Sequence, residues 1–79
     1  MHGKAKPLYE GSFVVEGGNF DNAGRVSSHI NSILKKIGLA SDVVRRAALV
    51  AYESEINIVS YSRKGLIHLL VGPDRVLIE

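Results

Sequence analysis

The chain reads as an α+β protein. The expected architecture is a two-layer α/β sandwich in the order strand, helix, helix, strand, strand, with both helices on one face of a small mixed sheet. Three observations predict it. Residues 8–16 alternate apolar and polar side chains. Two following segments carry apolar residues at three- and four-residue steps. Residues 66–79 form two apolar runs split by Gly72-Pro73-Asp74. At 79 residues the chain holds one small domain at most, and such a domain buries only roughly 60% of the surface its unfolded chain exposes.

The first strand is expected over Leu8–Glu16, where Tyr9, Phe13 and Val15 alternate with Glu10, Ser12 and Glu16. Gly11 interrupts that rhythm and suggests a bulge. Gly17-Gly18-Asn19 ends the strand. Asp21 or Asn22 then offers an N-cap for a helix whose apolar stripe is Ala23, Val26, Ile30, Ile33, Leu34 and Ile37. Lys35 and Lys36 suit the negative end of its dipole, and Gly38 stops it. Ser41 is an N-cap for the second helix, and Asp42 fits its first turn. That helix is apolar over more than one face, from Val43 to Val59. It is expected to run to about Ser62, with Gly65 closing it. Leu66–Val71 is an apolar strand, Gly72–Arg75 a turn, and Arg75–Glu79 the last strand.

Composition narrows the function classes. Hydrophobic residues are 46% and charged residues 23% of the chain, a globular balance. There is no cysteine, so neither a disulfide nor a thiolate metal site is expected, and the cytoplasm is the expected compartment. No apolar run has the length to span a bilayer. Residues 1–7 read as a short basic lead-in, and residues 8–79 as the domain. The net charge of +2 comes from scattered pairs, Lys35-Lys36, Arg45-Arg46 and Arg63-Lys64. Nucleic-acid binders gather such charge on one surface with aromatics nearby, so neither nucleic acid nor membrane is an expected partner. His29 and His68 are separate, and no pair of histidines has ligand spacing. Ser27, Ser28 and Ser60 have no His–Asp arrangement near them in sequence.

The segment richest in chemistry lies within the second helix. Glu53, Asn57 and Tyr61 stand four residues apart, so they share one helix face. A carboxylate can orient a water as general base, and a carboxamide oxygen can ligate magnesium. That chemistry expects the row to line a pocket; a solvent-facing edge of the helix, or a Glu and an Asn capping a neighbouring loop, would give the same spacing with no chemistry.

The run Arg45–Gly65, with Glu53-Ser-Glu-Ile-Asn57 at its centre, resembles the N-box helix of the GHKL ATPase superfamily. Within it, the similarity is to small bacterial anti-sigma regulatory factors and serine-protein kinases. The first strand, the Gly17-Gly-Asn-Phe-Asp21 loop, the helix ending at Gly38 and the final hairpin resemble the same family. The resemblance spans about residues 8–79 and implies a regulatory ATP-binding domain using ATP and Mg2+. It implies Glu53 as the catalytic base and Asn57 as the magnesium ligand. Tyr61 falls near the nucleotide phosphates, at a position where these regulators often have histidine. A sigma factor or an antagonist protein is the partner it implies. In the family the last strand leads into a D-x-G-x-G segment that recognises adenine, followed by a glycine-rich lid. Neither occurs in these residues, so the expectation is the N-terminal half of the fold, binding and hydrolysing ATP poorly by itself. The unpaired sheet edges this leaves predict a homo-oligomer formed by edge pairing or exchange of elements. The alternative is a non-catalytic interaction or self-association module on the same scaffold.

Overall fold

The pairing of the sheet decides where every other element goes. The computed structural model describes residues 7–18, 20–61 and 64–79. The lead-in through residue 6, Asn19 of the first loop, and Ser62 and Arg63 lie outside the described residues. Three strands, β1 (Tyr9–Val15), β2 (Gly65–Val71) and β3 (Val76–Ile78), lie in the order β1-β2-β3. Between β1 and β2 in sequence come a 3₁₀ turn (Phe20–Asn22), α1 (Arg25–Ile37) and α2 (Ser41–Ser60). The expected two-layer α+β architecture is present, with both helices on one sheet face. The pairing is antiparallel throughout and not mixed. The helical hairpin returns the chain beside β1 in the opposite direction, and the Gly72–Arg75 turn reverses it again.

Register sorts the side chains. Tyr9 pairs with Val71 and Val15 with Gly65, while Leu69 pairs with Ile78 and Val71 with Val76. Because side chains alternate along a strand, Ile67, Leu69 and Val71 face the helices and are buried. They meet Ile30 and Leu34 of α1 and Val44, Ala51 and Val59 of α2 in one core. Leu66, His68 and Leu70 point to the opposite face, which no described element covers. The apolar run of β2 is therefore buried on one side only.

Three local expectations change. The one-to-one register through Gly11 leaves no bulge. A side chain there would lie 2.7 Å from the Tyr9 hydroxyl, so the glycine makes room for the Tyr9 ring. Gly65 does not close α2 but opens β2. A Cβ on it would stand 2.8 Å from Ile58 Cδ1, so the missing side chain lets the end of α2 approach the strand. The helix ends at Ser60, with Tyr61 as its C-cap. Finally, Asp21 and Asn22 lie in the 3₁₀ turn and do not cap α1, which begins at Arg25 behind Gly24. Gly38 ends α1 as expected, at φ 96°. Ala40 is the N-cap of α2, one residue before Ser41, which is the first residue of the helix.

Candidate functional site

The two carboxylates near the middle of α2 have opposite surroundings. A helix turns about 100° per residue, so positions two apart point to nearly opposite sides. Glu55 continues the inward stripe of Val44, Ala47, Ala51 and Val59 and is 2% exposed. Its oxygens accept the N–H groups of Val26 at 3.1 Å and Ser27 at 3.2 Å. These are the second and third residues of α1, whose N–H groups lack partners inside their own helix. Glu55 thus caps α1 from another helix, and its negative charge meets the positive end of the α1 dipole. Gly24 itself makes no side-chain cap. This explains the late start of α1. The helix begins where the Glu55 carboxylate can reach its first free donors, not where Asp21 or Asn22 would place it.

Glu53 and Asn57 point the other way. Both are exposed, one turn apart on the outward side of α2, which is the solvent-facing placement that the spacing also allowed without any chemistry. Among the described residues neither side chain enters the hydrogen bonds or ion pairs that hold the fold. Tyr61 follows at the helix end and is 73% exposed. Asn57 and Tyr61 line a shallow groove with Ile58 and Lys64, and Glu53 lies a turn back from it. The donor set suits magnesium, which prefers carboxylate and carbonyl oxygens and keeps several waters unless phosphates replace them. Lys64 adds a cation beside that groove. The groove is open to solvent, so these residues form an exposed polar row and not an enclosed pocket.

A second polar group stands on the uncovered sheet face. Ser12 and His68 are cross-strand partners, with Ser12 Oγ 2.9 Å from His68 Nδ1. The other ring nitrogen, Nε2, lies 3.2 Å from Glu10 Oε2. Nothing in the sequence spacing points to this trio, because strand register alone brings it together. It has the residue types of a nucleophilic triad but stands on the sheet face that no described element covers. It therefore ties β1 to β2 more than it offers a reaction centre. His29 is exposed on α1, and its ring meets Phe13 edge-on at 5.2 Å. Among the described residues no three His, Cys, Asp or Glu side chains gather as a metal site. No described helix is long and apolar enough to cross a membrane.

Glu55 is the residue that sequence reasoning passed over. Its signal was available: it falls on the four-residue rhythm of Ala47, Ala51 and Val59, and an acid at such a position needs a buried partner. Comparison with protein-family models, with curated proteins and with solved structures finds no match for this chain.

Proposed function

We propose that this chain is a regulatory ATP-binding domain of the GHKL kind, or part of one. Glu53 would orient a water, Asn57 would ligate magnesium, and Tyr61 and Lys64 would flank the nucleotide phosphates. One observation carries the reading. The fold consumes Glu55 and leaves Glu53 and Asn57 free, side by side on the exposed side of α2. Polar groups that stability does not use are available for binding. When bound, magnesium would neutralise phosphate charge. The protein's own part is to hold the Asn57 oxygen and the Glu53 carboxylate on one rigid helix face. The cytoplasm is the matching compartment, and a sigma factor or antagonist the matching partner class. These 79 residues contain no D-x-G-x-G segment, so nucleotide binding by this chain alone is weak.

The test is an NMR titration of the labelled protein with ATP, with and without magnesium. Magnesium-dependent shifts centred on Glu53, Asn57, Tyr61 and Lys64, and absent in Asn57→Ala, are expected. Saturating nucleotide that moves none of these resonances would overturn the reading. That result would favour the second reading, a non-catalytic protein-interaction module. The uncovered sheet face supports this alternative, because Leu8, Val14 and Leu66 are each more than half exposed there.

A further inference from the structure

We infer that two copies of this chain associate through β3, antiparallel and centred on Leu77, to give one continuous sheet with the helices of both copies on the same side. This gives the expected self-association one edge and one register, and it does not depend on the nucleotide reading.

The backbone comes first. His68 and Glu79 exchange both N–H···O=C bonds at 3.0 Å, and Gly72 N–H donates to Arg75 C=O at 2.8 Å. Antiparallel ladders alternate bonded and non-bonded pairs, so Arg75, Leu77 and Glu79 turn their backbone groups toward β2. Val76 and Ile78 turn theirs outward, to the edge that no described strand pairs with. A second β3 placed antiparallel with Leu77 opposite Leu77 pairs Val76 with Ile78 of the second copy, and the reverse. Both pairs can then exchange both bonds. A shift by one residue sets outward groups against inward ones.

Charge selects the same register. Arg75 and Glu79 stand two residues to either side of Leu77. Centred pairing therefore sets Arg75 against Glu79 of the second copy twice, by symmetry. These are non-hydrogen-bonded positions, where facing side chains come closest. The symmetry is that of a closed dimer using one patch twice.

The helix layer agrees. α2 flanks β3, and the groove between them is lined by Val43, Ala47, Val50, Val76, Leu77 and Ile78, together with Arg46, which pairs with Asp42 of its own helix. Val43 and Val50 are 37% and 47% exposed and lie seven residues apart, on one side of the helix. Pairing through β3 brings the two α2 helices alongside each other and covers this stripe. The β1 edge offers neither feature. Pairing centred on Ser12 would set Leu8 against Glu16, and the α1 residue that meets β1 is His29, whose ring lies against Phe13.

Sedimentation equilibrium of the chain, with a charge swap, tests the inference. Arg75→Glu and Glu79→Arg should each weaken association about tenfold, since both symmetric pairs become like-charged. The double variant should restore it. Leu77→Cys should form a disulfide-linked dimer on mild oxidation, and Leu66→Cys on the adjacent strand should not. The natural chain has no cysteine to confuse that result. A monomer at every concentration overturns the inference. So does a dimer whose affinity ignores both single charge changes, or one that Leu77→Cys fails to trap while circular dichroism shows it folded.

Discussion

The Glu55 carboxylate accepts the N–H of Val26 at 3.1 Å, joining the middle of α2 to the first turn of α1. With the bond from Ser27 it closes the α1 N-terminus inside the core. Removing it strands two buried donors, each worth about 1–3 kcal/mol. Glu55→Ala should therefore lower stability by about 3 kcal/mol in urea unfolding, a large share for so small a domain. Glu53→Ala, two residues away and exposed, should fall within about 0.5 kcal/mol of the parent.

The same asymmetry divides β2. Leu69 is fully buried and Leu66 is 63% exposed on the uncovered face. Leu69→Ala should cost about 2–5 kcal/mol through lost burial and a cavity. Leu66→Ala should be close to neutral. Equal losses at both positions would show that the uncovered face is packed against something.

Gly38 closes α1 in the left-handed region, and a Cβ there would meet nothing within 4 Å. The cost of Gly38→Ala is thus backbone strain alone, about 1 kcal/mol. Gly38→Asn should lose less, because asparagine tolerates that conformation. Thermal unfolding of the two variants separates these outcomes.

ATP turnover by this chain alone should stay at background. Glu53 and Asn57 sit on an open surface, and one amide oxygen holds magnesium weakly without phosphates to share it. A magnesium-dependent rate that disappears in Glu53→Ala would contradict this.

Much of the fold was legible in the residues. The stripe of Val26, Ile30 and Leu34 fixes the buried side of α1, and Gly38 marks its end. Alternation in β1 separates Phe13 and Val15 from Ser12 and Val14. The Gly72–Arg75 turn announces the last hairpin. The candidate row was legible too, since four-residue spacing is enough to put Glu53 and Asn57 on one helix face. The mixed sheet, the Asp21 or Asn22 cap, the Gly11 bulge and the role of Gly65 were read differently. The sheet, the bulge and the cap depend on partners distant in sequence, β1 beside β2 and Glu55 beside Val26, and the role of Gly65 depends on Ile58 packing across the turn seven residues away.

The sequence by itself determined which segments are helix or strand and which side chains share a face, because those properties repeat within a turn or two of chain. Only the tertiary structure decided that Glu55 holds the fold while Glu53 and Asn57 remain free. Only it brought Ser12, His68 and Glu10 together, and placed β3 at an edge that no other described strand covers. The physical reason is that a side chain's energy is set by what covers it, and here the covering groups come from the far end of the chain.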